Sequence, residues 1–484
     1  MTRRFTVRTA AAVVAVVSIV AMGAAVSANA DSLQRPTGGK AVAHRDGKAV
    51  RAGNAPTAVT YSIGEHALEP TLGIDKSGEI FYAAAGFDDP VGEPWTLVMH
   101  SKDGGKTWED SSPRVLGQHE MAISLDPYVY VDETTGRVFT IDLTLACSYM
   151  SFSDDKGASW ITNPLSCSQP VNDHQTLFAG PPATSPTVGY PNVLYYCWND
   201  VGSSSCAKSL NGGLTFQRTG DAAFDGYDTS GSQDPGFYGV NGFCGGLHGH
   251  GAVGPDGTVY IPREYCGKVM LAISHDEGLT WDHVKVSDIR SPSQPQEGAP
   301  HPSVTVDSKG NIYVMWIGQQ NRMPYMATST DGGKHFSRPV MVAPPGVNET
   351  NLPQIDVRSP GKVALVYYGS TNSPYQKCQP KCRADYWKDT TWNGYVTISA
   401  NALAKNPLFY TGTVNNPKDP LIRRECGPGR CQAAYDFIDV EIAPDGTPYG
   451  AFVDGCMADC TPTNPNGEQY EGLVAKLVGG PSLK

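Results

Sequence analysis

Thirteen acids and histidines gather at the ends of apolar runs: Glu69, His119, Glu120, Asp126, Asp173, His174, His248, His250, Glu264, Glu297, His301, Asp436 and Asp439. Two chemistries use these types. Paired carboxylates with histidines do general acid/base work in a concave mouth, which casts Glu264, Glu297, His250 and Asp126 as catalysts and Glu69, Asp173, His174 and Asp436 as substrate contacts. Alternatively His248-x-His250, with His301 and a carboxylate such as Asp173, offers ligands for a divalent metal in a central mouth. The plainer reading is that such residues hydrate a channel or satisfy buried strand ends.

What positions them is read from "SHDEGLTW" at Ser274. A Ser-His-Asp run suggests a triad, but triads are assembled in space from distant segments. The frame recurs at Ser101, Ser153, Ser209 and Ser329 as Ser-x-Asp/Asn-x-Gly-x-x-Trp/Phe, and the position of His275 varies freely. Asp103, Asp155, Asn211, Asp276 and Asp331 are therefore turn-makers: the side chains bond nearby backbone, Gly takes positive φ, and the aromatic packs the turn onto a sheet. Successive copies lie 52, 56, 65 and 55 residues apart, a spacing that marks a repeat architecture.

Each copy follows an apolar run, a Gly-bearing turn and a second apolar run, as in "EPTLGIDKSGEIFYAAAG" and "HPSVTVDSKGNIYVMWIG". Four antiparallel strands per repeat make an all-β propeller blade. Seven repeats are counted, or six because the last two carry no recognisable box. Turns that join the third strand to the fourth occupy one face, so the ionisable set shares the opposite face. Long connections at 217–247, 282–300, 369–395 and 411–435 fall there too, carrying Tyr227, Tyr238, Tyr375, Tyr386, Trp387 and Trp392. Loops of that length are often functional.

The boxes and their spacing resemble the Asp-box (BNR) repeat propellers, whose best-known members are the sialidases. That resemblance implies a glycan-active hydrolase: an arginine cluster on a substrate carboxylate, a tyrosine nucleophile activated by a glutamate, and an aspartic acid. It points to Arg263, Arg322 and Arg424 for the cluster, Tyr265 or Tyr435 for the nucleophile, Glu264 or Glu297 for its base, and Asp88 or Asp89 for the acid. The chain departs from sialidases in having no Phe-Arg-Ile-Pro segment in its first repeat and in counting seven units, where sialidases have six. A propeller polysaccharide lyase and a non-catalytic binding propeller are the other readings.

Residues 1–30 carry a basic head, an apolar run and an Ala-Asn-Ala end, the pattern of an export signal. Residues 31–58 read as a flexible lead-in, and 59–484 as the propeller. Twelve cysteines in an exported chain imply disulfides: Cys147–Cys167, Cys197–Cys206, Cys244–Cys266 and Cys456–Cys460, with Cys378, Cys382, Cys426 and Cys431 paired locally or across loops. Losing Arg3, Arg4 and Arg8 with the signal takes the formal charge from −11 to −14. An acidic chain without basic runs excludes nucleic acid as partner. The expected protein is a secreted monomer that binds an extracellular glycan or small molecule, free of the membrane once the signal is removed.

Overall fold

The computed structural model describes residues 33–86, 94–115, 118–119, 125–144, 147–164, 172–200, 202–227, 244, 246–292, 301–379, 381–383, 385–423, 436, 438–456 and 470–484. Strand pairing among them yields seven four-stranded antiparallel units. The second runs Leu125–Asp132, Arg137–Thr144, Cys147–Ser153 and Ile161–Pro164. The sixth runs Glu349–Ser359, Lys362–Ser370, Thr391–Ser399 and Phe409–Thr413. The inner strands of successive units touch in a closed cycle, from Thr57–Ile74 through Leu125–Asp132, Asp173–Gly180, Ala252–Val253, Ser303–Val306, Glu349–Ser359 and Asp439–Ile442 back to Thr57–Ile74.

One strand closes the ring. Thr57–Ile74 serves two units: its second half pairs with Ile80–Gly86, and its first half pairs with Glu471–Val478, setting Thr57 opposite Val478. The first inner strand and the last strand, Glu471–Val478, are thereby held in one sheet.

Packing between units explains the continuous apolar runs. A sheet covered on both faces has no polar side to alternate with; accordingly Ile312–Ile317 and Val193–Asn199 are buried at every position. Trp316 is fully buried, and burying a large apolar side chain contributes roughly 1.5–3 kcal/mol.

The five boxes make one hydrogen-bonded turn. In each, the Ser Oγ accepts the N–H of the Gly four residues on and donates to the Asp or Asn; the same Asp/Asn oxygen accepts the N–H four residues ahead. Each closes the third strand onto the fourth, on the face away from the ionisable set. A sixth turn of the kind is present where no box was recognised: Ser399 donates to Asn401, and Asn401 accepts Leu408 N–H at 2.9 Å. Its acceptor reaches seven residues ahead instead of four, so a longer loop hides the motif.

The lead-in does not match the expected flexible segment. Gln34–Arg35 pairs on the outer side of Thr57–Ile74, and the hairpin Val42–Arg45 with Lys48–Ala49 extends the sixth unit beyond Phe409–Thr413. Its few apolar residues suffice because they add to finished sheets: Ala41 and Ala43 join the buried core cluster that also holds Tyr410 and Ile398. Among the described residues no helix is long and apolar enough to cross a membrane.

Candidate active site

The inner strands share a local device. Register shifts at Leu68/Thr71, Leu125/Tyr128, Asp173/Thr176 and Asn351/Gln354 mark bulges, and each holds one residue at positive φ: Glu69, Asp126, His174 or Leu352. A bulge inserts an unpaired residue and re-aims its side chain. Pro70, Pro127 and Pro353 follow three of them, as suits positions without a ladder hydrogen bond.

These side chains bind the next unit. Glu69 Oε2 accepts Asp126 N–H at 2.9 Å, Asp126 Oδ2 accepts His174 N–H at 2.9 Å, and Asp439 Oδ2 accepts Leu72 N–H at 2.9 Å. Each carboxylate thus caps the neighbouring inner strand. Oxygens of Glu69, Asp126 and Asp436 lie within 4.8 Å of one another, and all three residues are buried. Burial, then Glu69, Asp173 and Asp436, push the Asp126 carboxyl well above the usual range.

Histidines fill the adjoining space. His174 contacts His301 at 3.8 Å between ring centroids, His248 at 6.3 Å and His250 at 6.5 Å. His301 Nε2 lies 3.1 Å from the Asp436 carbonyl, and His250 packs edge-on to Tyr128. Burial, reinforced at His174 and His250 by neighbouring histidines and at His248 first by Arg263 and then by histidines, holds His174 and His248 well below the usual imidazole range and His250 down to about 3. Burial raises Asp439, 3.7 Å from His250, to about 7. Burial thus favours the uncharged forms of Asp126, Asp439, His174, His248 and His250.

Accessibility separates this array from a second cluster on the same face, between the fifth and sixth units. Glu349 begins the inner strand of the sixth unit and is buried. Its Oε1 accepts Tyr386 O–H at 2.5 Å and its Oε2 accepts Ser373 O–H at 2.5 Å. Both donors sit on the insertion that joins Lys362–Ser370 to Thr391–Ser399, which Cys378–Cys382 braces. Arg322, on the turn at Gly318–Met323, is fixed by its backbone: its N–H donates to Gly318 and its carbonyl accepts Thr350. Its guanidinium stands 5.6 Å from the Tyr375 ring centroid and makes no hydrogen bond or ion pair among the described residues. Burial raises Glu349, with Arg322 opposing, and burial and Glu349 together push the Tyr386 hydroxyl up. Tyr386 and Arg322 are only half-buried, so a ligand reaches them more readily than the axial array.

Other expected residues serve different ends. Arg263 is fully buried and donates to Ser204 Oγ and to the carbonyls of Gly202, Cys244 and Gly246. It staples the Cys244–Cys266 corner and is not placed to meet a substrate carboxylate. Glu264 accepts Gly267 N–H, which caps its own hairpin, while Tyr265 packs on Phe224. Adjacent strand residues face opposite ways, so the two do not form a nucleophile and its base. Asp173 bonds Asn199 through its carbonyl. Glu297, Tyr435, Arg424, Asp88, Asp89, Glu120, the His119 side chain and residues 1–30 lie outside the described residues. Cys197–Cys206 and Cys244–Cys266 are bonded as expected, and Cys378 pairs locally with Cys382; the other bridges involve residues outside that set. Sequence reasoning missed Glu349 altogether and placed Tyr386 only among loop aromatics. Its one signal was the length of the 369–395 connection.

The class the strands define is thus a seven-unit β-propeller with an ionisable face. No protein-family model matches the chain, and no curated protein does. Similar solved structures include the intramolecular trans-sialidase of Ruminococcus gnavus (14% identity, 63% of this chain and 92% of that one, TM-score 0.42). An α-L-arabinofuranosidase of Fusarium graminearum is similar at 16% identity, 73% and 97% coverage and TM-score 0.40. A Dyadobacter fermentans protein of unknown function is similar at 15% identity, 92% and 99% coverage and TM-score 0.41. Likeness this distant transfers no activity.

Proposed function

We propose that this chain is an exported glycoside hydrolase acting on glycans that carry an acidic sugar. The observation that supports it is the trio of Tyr386, Glu349 and Arg322: a phenol donating to a buried carboxylate beside a guanidinium that makes no hydrogen bond or ion pair among the described residues. Arg322 would pair with the sugar carboxylate, for which its planar fork is suited. Tyr386 Oη would attack the anomeric carbon while Glu349 takes its proton, since a neutral phenol needs a base; tyrosine nucleophiles are the recognised exception among hydrolases. The glycosidic C–O bond breaks as the leaving oxygen takes a proton from an acid, for which the sequence offers Asp88 or Asp89. Water then releases the sugar from Tyr386.

The same trio also suits β-elimination from a uronate, with Arg322 neutralising the carboxylate and Tyr386 removing the proton. Product analysis separates the two, because elimination leaves an unsaturated uronyl end and hydrolysis does not. The test is turnover of aryl sialosides, uronate polysaccharides and neutral aryl glycosides by the purified chain. Cleavage restricted to acidic sugars is expected. Tyr386→Phe should lower kcat by about 10²–10⁴, and Arg322→Ala should chiefly raise KM. Binding without turnover would make it a binding propeller, and neither on any substrate by a folded chain would end the reading.

A further inference from the structure

The chain is acidic, with a net charge of −11, yet residues 33–58 carry five lysines and arginines against one acid. Part of that excess is gathered at one place in the fold. The hairpin of Val42–Arg45 with Lys48–Ala49 brings its tip to the face of the ring that carries the boxes, beside the start of Phe409–Thr413. A cavity of about 460 Å³ opens there, lined by Arg45, Asp46, Lys48 and Arg338, and by Lys405 and Asn406 from the sixth turn. That volume suits a small ligand or a few sugar units. We propose that this cavity binds a segment of an anionic polysaccharide, whose sugar carboxylates its four cations hold on the face opposite the Tyr386 cluster.

Two features point to an anion. The turn residues Asp46 and Gly47 both have positive φ, 47° and 74°, the geometry of a two-residue hairpin, and the turn sets Arg45 directly opposite Lys48. Like charges so opposed repel, and an anion between them turns that repulsion into attraction. The second feature is that the one acid among the described lining residues does not offset the cations. Asp46 Oδ2 accepts Arg338 at 3.0 Å and its Oδ1 accepts Met341 N–H at 2.9 Å. Arg45 donates to the Asn406 carbonyl, which fixes the guanidinium without neutralising it. Lys48 and Lys405 are exposed, and their ammonium groups make no hydrogen bond or ion pair among the described residues. Four cations less one carboxylate leave an excess of three positive charges, which one monovalent anion does not balance and a run of acidic sugars does. Linked carboxylates also engage several cations together, so that individually weak contacts add.

The choice of an acidic glycan rests on the hydrolase reading, whereas the excess of cations does not. Calorimetric titration of the purified chain with polygalacturonate should show binding that weakens several-fold between about 50 and 200 mM salt, and none to neutral dextran. Lys48→Ala and Lys405→Ala should each weaken it by about two- to fivefold. Without ligand, Lys48→Ala should leave Tm equal to or above that of the wild type, because it relieves the opposed pair. Neither substitution should change turnover of a small aryl glycoside. Undiminished polygalacturonate affinity in the double variant would overturn the proposal, as would a Tm lowered by several degrees in Lys48→Ala. Binding of phosphatidylglycerol vesicles without binding of polygalacturonate would overturn it in favour of a membrane surface. Polygalacturonate held through these lysines by a chain that cleaves no glycoside would uphold this site and count against the hydrolase; acidic glycosides cleaved by a chain indifferent to both substitutions would do the reverse.

Discussion

Replacing Arg263 by Met tests where the structure and the sequence expectation part. Burial lowers the guanidinium from its usual 12.5 to about 10, a penalty on the charged form of roughly 3 kcal/mol. The folded value lies below the unfolded one, so this penalty is full below pH 10 and relieved above it; Met removes it. Against that stand four acceptors: Ser204 Oγ at 2.9 Å, Gly202 O at 2.8 Å, Gly246 O at 2.9 Å and Cys244 O at 3.3 Å. Leaving each without its donor costs about 1–3 kcal/mol, near the low end where water can enter, for a sum of about 5 kcal/mol. The net loss is about 2 kcal/mol, or about 2 °C in Tm at roughly 2.1 cal/mol/K of unfolding entropy per residue. Calorimetry at neutral pH, with hydrogen exchange at Cys244 and Gly246, would measure it. An unchanged Tm together with a raised KM for an acidic glycoside would put Arg263 on the substrate and refute the reasoning.

Gly249→Ala should destabilise by about 3 kcal/mol or more, because the 1.8 Å approach to the Pro302 carbonyl leaves no rotamer escape; a denaturation midpoint equal to wild type would contradict the packing described. Asp439, raised to about 7 by burial, binds a proton in the folded state that the unfolded chain has lost above about pH 4. Stability from this group therefore falls as pH rises from about 4 to 7, by up to about 4 kcal/mol, and Asp439→Asn should remove that fall in urea titrations at several pH values. Asp276→Ala should cost about 1 kcal/mol through loss of the bonds to Ser274 and Thr280. His275→Ala should cost less than about 0.5 kcal/mol, and neither should alter turnover on any glycoside.

The repeat was legible because its parts are local. A box satisfies itself within a few residues, from Ser274 to Thr280, so residue types at fixed offsets suffice to specify the turn. The two-sided burial of each unit likewise shows as unbroken apolar runs such as "IYVMWI". From these follow the four-stranded units and the face on which ionisable residues collect. The lead-in was misjudged because an added edge strand needs only backbone partners and a few small side chains, and composition does not record either.

The destination of each ionisable side chain was decided by tertiary structure alone. Glu69, Asp126 and His174 turn inward because a bulge places one residue at positive φ, and a shift of one residue sends a side chain to the other face. Arg263 and Arg322 look alike in sequence, yet one guanidinium is consumed by four acceptors and the other makes no hydrogen bond or ion pair among the described residues. Glu349 meets Tyr386 across 37 residues and an inserted loop. Sequence determines such groups' chemistry and which end of the ring they occupy; which of them meet is set by bulge register and loop return, where partners are distant in the chain.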